Sequence, residues 1–372
     1  MTITFMIRFS MTKTMNNNNK SRLLTSLWVS FSALLISSQS LAADSVEFSH
    51  QDWQVVCDNV RTCRLAGYQS ENNSDFPVSV LLIRKAGANA GVTGKVKLGG
   101  GKQNSSKALM QLGSRHKISL VINGEDLGET KPFSSSSGDA ELTPSQVTAL
   151  INALKSTSKI EVVFRNTRWQ LSDKGATAVM VKADEAQGRL GTPSAFIDGG
   201  TSRPASSVLP PSAAPQLRWV APSRAVRQKK FTMKSSQLKS VIQASTNDWE
   251  KNCPNLTDDT PWRVSRLNGA QLLVQHSCWV GAYNSGTGAW VINDKKPYQP
   301  VLVTTDATDY NNGKLKSVQK GRGIGDCLNQ EEWVWTGKRF AKSLDSTTGL
   351  CRLIEAGGAW QLPRFVSEVK VN

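Results

Sequence analysis

Residues 201–230 read TSRPASSVLPPSAAPQLRWVAPSRAVRQKK, and this stretch decides how the rest of the chain divides. Its five prolines (Pro204, Pro210, Pro211, Pro215, Pro222) stand among serines and alanines. Such a run has too little apolar surface to offset the entropy of ordering it, so it is expected to be an extended, semi-rigid linker. It also holds six basic residues (Arg203, Arg218, Arg224, Arg227, Lys229, Lys230) and no acidic one. The flanks are nearly balanced: 43–200 carries 18 basic and 16 acidic groups, and 231–372 carries 17 and 13. The expected organisation is an N-terminal β-rich domain (43–200), the basic linker (201–230) and a Trp-rich, disulfide-stapled β domain (231–372).

Upstream of all this, Lys20 and Arg22 form a short basic region, and 23–38 is apolar but too short and Ser-interrupted to span a bilayer stably. Ser40-Leu41-Ala42 offers small residues where a signal peptidase reads, so cleavage after Ala42 is expected, with Met15 as the initiator. All six cysteines follow this segment, an even number in a chain exported to an oxidising compartment. The expected location is the periplasm of a Gram-negative cell. Four of the 45 Lys+Arg lie in 1–42, which leaves 41 against 29 Asp+Glu, a net of +12 on the mature chain. In an exported protein a basic linker points to anionic envelope polymers or phospholipid head groups, or to another periplasmic protein, and not to nucleic acid. No later stretch has eighteen consecutive apolar residues, so no membrane span is expected after signal removal.

The local patterns give an α+β chain that is mostly β. Residues 46–57, 78–83 and 160–164 are strand-like, and 118–122 runs into Asn123-Gly124, a two-residue hairpin turn. Thr143-Pro144-Ser145-Gln146 combines an N-cap, an N1 proline and a capping-box glutamine, with Val147, Leu150, Ile151 and Leu154 on one helical face. A second helix is expected over 176–187, closed by Gly188. Gly99-Gly100-Gly101 and 134–137 read as surface loops. The N-terminal domain is thus expected to be a sheet with two helices. Downstream, a helix over 236–250 is expected before a run of antiparallel strands. One hairpin turns at Asn268-Gly269 and another at Thr336-Gly337-Lys338. Seven of the eleven tryptophans fall in this half, each worth roughly 200 Å² of burial.

The cysteines form one close pair, Cys57 and Cys63, and two wider ones, for which Cys253 with Cys278 and Cys327 with Cys351 are the simplest partners among fifteen connectivities. In the loop-entropy account the short bridge contributes about 2 kcal/mol and each wider one about 3.5 kcal/mol. No Cys-x-x-Cys exists and His50, His116 and His276 are scattered, so neither a metal site nor a redox dithiol is expected. In 320–327, KGRGIGDC, alternate glycines can turn backbone N–H groups toward an anion beside Lys320 and Arg322. The plainer reading is a bulged turn clearing space beside a disulfide and tryptophans. Asp306, Asp309 and Asn311 fail the EF-hand pattern because Lys320 stands where the bidentate glutamate belongs. Catalytic templates are missing too: no Gly-x-Ser-x-Gly, no His-Glu-x-x-His, no Walker loop. His276-Ser277-Cys278 points to opposite faces of a strand, and Asp258-Asp259 and Glu331-Glu332 read as solvated.

The chain resembles the exported bacterial family called domain of unknown function 1176. The motifs that carry this are Asp52-Trp53 with Cys57 and Cys63, 278–284 (CWVGAYN), 321–327 (GRGIGDC), Trp333-Val334-Trp335, and Cys351-Arg352 followed by 358–363 (GAWQLP). Residues 43–200 are also similar, more weakly, to the invasion-associated locus B family. The resemblance implies periplasmic location and carries no catalytic residue. The expectation is a non-catalytic binding module without a cofactor. Its face comprises Lys320, Arg322, Asp326, Trp333, Trp335 and Trp279, and the linker assists it. The alternative is an envelope hydrolase acting on peptidoglycan or a glycan, which would need a cleft converging on His276 or on paired carboxylates.

Overall fold

The computed structural model describes residues 44–371, apart from 102, 113–115, 135–136 and 228–233. The signal-peptide reading on 1–42 therefore lies outside the described residues, as do Lys229 and Lys230.

A six-stranded antiparallel sheet organises the first half. Its order is Val46–His50, Trp53–Cys57, Cys63–Tyr68, Val78–Arg84, Val92–Leu98 and Asp139–Glu141. Both faces are covered, and the strand alternation shows how. Val55, Leu65, Val80 and Leu82 point into a core shared with the helices, while Val56, Ala66, Tyr68 and Leu81 point the other way. That second face is covered from far along the chain, by Ile354, Ala359, Trp360 and Leu362. A second sheet of four strands contains the hairpin Ser119–Ile122 and Glu125–Glu129, whose turn residues Asn123 (φ 53) and Gly124 (φ 89) are both left-handed.

The helix Pro144–Ala153 starts as its capping box dictates: Thr143 Oγ1 accepts the Gln146 N–H, and Gln146 Oε1 accepts the Thr143 N–H. The helix Ala176–Ala186 also forms. Three expectations need correction. The strand expected over 46–57 is two strands, reversed at Gln51 (φ 53). A third helix, Gln103–Gln111, joins the two that were expected in this half. It is seated by Ser105, whose Oγ donates to the Asp75 carbonyl and accepts the Gly101 N–H, and by buried Ala108. Gly99 is buried, not a surface loop residue, because a Cβ there would stand 2.6 Å from the Ile354 carbonyl oxygen.

In the second half a four-stranded sheet (Arg263–Arg266, Gln271–Val280, Ser285–Asn293, Val301–Ala307) shares a core with a five-stranded one. The latter comprises Asp309–Asn311, Lys314–Lys320, Leu328–Trp335, Phe340–Thr347 and Leu362–Val366. All these pairings are antiparallel. Leu273, Ala289, Leu315, Trp333, Trp335 and Phe340 pack between the sheets. Leu272, Val274 and Trp290 face outward and are covered by Leu238, Ile242 and Leu256. The helix expected over 236–250 stops early, as Ser235–Gln243, and resumes only as Trp249–Asn252. The Ser245 and Thr246 hydroxyls both donate to the Ile242 carbonyl and so end the ladder.

The segment after residue 200 runs against the body. The Leu209 N–H and C=O pair with Gln187 and Gly87, and Gln216–Trp219 pairs in parallel with Glu368–Val371. Three disulfides, Cys57–Cys63, Cys253–Cys278 and Cys327–Cys351, match the simplest pairing, and no cysteine is free. No described helix is long and apolar enough to cross a membrane.

Candidate functional site

A concave feature of the C-terminal sheets lies beside the outer strand Val301–Ala307. Between that strand, the hairpin turn at 336–339 and Phe340–Thr347 opens a groove of about 580 Å³. Val291, Leu302, Trp333, Phe340 and Phe365 supply apolar walls, with Leu217 of the linker segment closing one end. Gln271, Asn293 and Gln299 add neutral polar groups. Among the described residues, Lys338, Arg339 and Lys342 are its only charged lining residues, and none is acidic.

The three cations are not equivalent. Lys342 pairs with Glu331 and, at 3.4 Å, with Asp345. Partial burial works against its charge, but the hydrogen bond and field of Glu331, with Asp345, outweigh that and raise its pKa above the ordinary lysine value. Lys338 and Arg339 are exposed at the turn, and among the described residues neither has an acidic partner. An uncompensated pair of cations at the mouth of an apolar groove favours a ligand with an anionic end and an apolar body.

The residues singled out in the sequence are placed differently. Trp335 is fully buried and Trp333 nearly so, packed between the sheets and reaching the groove only as part of its wall. The aromatic surface expected at 333–335 therefore does not form. Trp279 is half-buried and donates its indole N–H to Asp306 at 3.0 Å. Arg322 binds Asp326 in a two-point ion pair, Nε to Oδ1 at 2.7 Å and Nη2 to Oδ2 at 2.6 Å. Burial pushes the Asp326 carboxyl up, but Arg322 and the Leu353 N–H overcome this and hold it below the usual carboxylate range. Arg322 thus spends its charge inside the protein. A Cβ at Gly321 would stand 2.6 Å from Cys327 Sγ, so this glycine makes room beside the disulfide; of the two cations, Lys320 is exposed and has no acidic partner among the described residues, whereas the partly exposed Arg322 is already paired. Asp326, Cys327 and Cys351 offer three potential ligand atoms within 4.8 Å, but both sulfurs are consumed in the disulfide.

His276 is buried under Trp262. Its Nε2 lies 2.9 Å from Thr260 Oγ1 and 3.1 Å from Thr260 O, and its Nδ1 lies 2.9 Å from the Ser277 carbonyl. It is a strand-packing histidine. Glu331 and Glu332 are tied to Lys342 and Lys316, and the Asp258-Asp259 pair is exposed. Neither carboxylate pair lines the groove. What the sequence reading missed is the pairing of Lys338 and Arg339 with 301–303. Its signal was present, since two cations follow a tight turn and Val301-Leu302-Val303 leaves two apolar side chains exposed on an outer strand.

A family model for proteins of unknown function, DUF1176, matches residues 47–367. An uncharacterised protein of Escherichia coli (strain K12), YpfG, is 27% identical over 341 residues, which is 83% of this chain and 90% of the relative. No solved structure matches. The likeness of 43–200 to the invasion-associated locus B family is not carried by any of these matches. This single match spans the six cysteines, the 278–284 and 321–327 turns and the groove, and the chain belongs to the DUF1176 family of proteins of unknown function.

Proposed function

We propose that this protein is an exported binding protein of the bacterial envelope, and that its groove takes a ligand with an anionic end and an apolar body. The observation that carries this is the lining itself: two cations without acidic partners, Lys338 and Arg339, no acid among the described lining residues, and apolar walls around a cavity of about 580 Å³, within the size range of small-molecule sites. The three disulfides agree with folding in an oxidising compartment. The division into 43–200, 201–230 and 231–372 belongs to the same proposal, with the groove carried by the third part and Leu217 of the linker segment lining it.

Dodecyl phosphate and its uncharged counterpart dodecyl maltoside, titrated calorimetrically below their micelle concentrations, test this reading. The phosphate should bind saturably and the maltoside much more weakly. Lys338→Glu/Arg339→Glu should weaken phosphate binding at least about tenfold at low salt, as reversal of two close charges predicts, while Lys320→Glu leaves it unchanged. Equal binding by wild type and the double variant, or no binding by wild type, overturns the assignment.

A further inference from the structure

The two most distinctive loop motifs, 278–284 and 321–327, are far apart in sequence and meet on the surface. The Asn284 amide clamps the backbone of Lys320 from both sides, Nδ2 donating to its carbonyl at 2.9 Å and Oδ1 accepting its N–H at 2.8 Å. Gln319 Nε2 donates to the Ser285 carbonyl at 3.0 Å. Gly323 lies so close to Tyr283 that a Cβ there would be 3.6 Å from the ring. Each loop is anchored from below by its own disulfide, Cys253–Cys278 and Cys327–Cys351.

On top of this joined pair, Val280 is 72% exposed, Ile324 67% and Tyr283 47%. Side chains that exposed stand proud of the surface. Their position has no structural explanation, because none of them belongs to a buried cluster.

We infer that this knuckle is a membrane-docking element that seats Val280, Ile324 and Tyr283 in the interfacial layer of an anionic bilayer. Three observations select that occupant. First, four backbone hydrogen bonds already hold the two loops: Gly281 N–H with the Asn284 carbonyl, Gly321 N–H with that of Cys327, Gly325 N–H with that of Arg322, and the Gly325 carbonyl with the Gly357 N–H. A loop can enter a lipid interface at low cost only when its polar backbone is satisfied in this way. Second, Arg322 is matched by Asp326 in a two-point ion pair, which lowers the cost of bringing its charge to the interface. Third, Lys320 beside the tip is exposed, and among the described residues it has no acidic partner. It stands on a mature chain whose 41 basic groups exceed its 29 acidic ones. An aliphatic pair, an amphipathic tyrosine and a flanking lysine on a rigid, protruding loop fit the lipid interface, where apolar burial and attraction to anionic head groups add. This surface is independent of the groove, which none of these residues lines.

The test is co-sedimentation of the full mature protein with sucrose-loaded phosphatidylglycerol/phosphatidylethanolamine vesicles and with phosphatidylcholine vesicles, at low and high salt. Wild type should sediment with the anionic vesicles. Ile324→Glu and Val280→Glu should each lower the partition about tenfold or more, the value of burying one aliphatic side chain. Ile324→Ser, which adds no charge, should lower it at both salts. Lys320→Gln should lower it only on anionic vesicles at low salt. Lys338→Glu/Arg339→Glu should still sediment, which separates this surface from the groove. All the substituted positions are exposed, so unchanged circular dichroism and unfolding temperature should confirm folding. Wild-type protein that fails to sediment overturns the inference, as does a folded Ile324→Glu variant that sediments like wild type. Capture of a periplasmic protein by the knuckle in place of lipid overturns it too.

Discussion

Trp360 reports most directly on how the end of the chain is held. Its indole is almost fully buried against Val56, Ala66, Tyr68 and Leu81, on the face of the six-stranded sheet turned away from the helices. Its Nε1–H donates to Ser79 Oγ at 2.7 Å, and Lys97 Nζ stands 5.3 Å from the ring centre. Trp360→Ala removes the ring from a packed seam, which costs about 3–5 kcal/mol. The lost hydrogen bond costs about 1 kcal/mol, and the lost cation–π contact about 0.5 kcal/mol. These overlap, so the expected loss is about 4–5 kcal/mol, a large share of the ~5–15 kcal/mol that holds a typical domain folded. Trp360→Phe keeps most of the ring and should cost about 1–2 kcal/mol.

Guanidinium unfolding followed by circular dichroism gives both values. Hydrogen exchange gives the location, because loss of the seam should deprotect amides in Val78–Arg84 and Trp53–Cys57, not only those in Leu362–Val366. A loss below about 1 kcal/mol for the alanine variant would refute the reasoning. So would a full loss confined to the C-terminal strands, which would mean that 354–362 does not support the first sheet.

Three further outcomes follow from the same physics. Asp326 has a folded pKa below its unfolded value, so its stabilisation is fully present above the unfolded carboxylate pKa and is lost as pH falls through the folded one. Asp326→Asn should therefore cost about 1–3 kcal/mol at pH 7, and the gap to wild type should close on acidification; a gap that persists below pH 2 would contradict the ion pair. Alkylation of denatured, unreduced protein should add no label, and peptide mapping should return Cys57–Cys63, Cys253–Cys278 and Cys327–Cys351; a peptide joining Cys57 or Cys63 to a later cysteine would refute the map. Limited trypsin should cut first within 224–230, since the backbone around Leu209 and over Gln216–Trp219 is hydrogen-bonded to the body; a first cut beyond 233 would misplace the boundary.

Local chemistry alone determined much of this protein. The capping box at Thr143–Gln146, the left-handed turn at Asn123-Gly124 and the alternation along 271–276 all rest on neighbours within a few residues. Those forces act in the unfolded chain, so the sequence displays them. The helix Gln103–Gln111 was not legible, because it is held by the Asp75 carbonyl and by burial of Ala108 and not by propensity. The early end of the helix at Gln243 depends on Thr246, which also accepts the indole N–H of Trp290, a partner more than forty residues away.

The candidate site shows the same limit. The sequence reading took tryptophans as a surface, yet Trp333 and Trp335 fill the space between two sheets, and only the arrangement of those sheets decides which ring is buried. Arg322 looked like an available cation until Asp326, four residues on, was seen to occupy both faces of its fork. The groove and the knuckle each join segments separated by more than thirty residues, Val301 with Arg339 and Tyr283 with Gly323. Pairing registers and sheet packing set those meetings, and no local pattern encodes them.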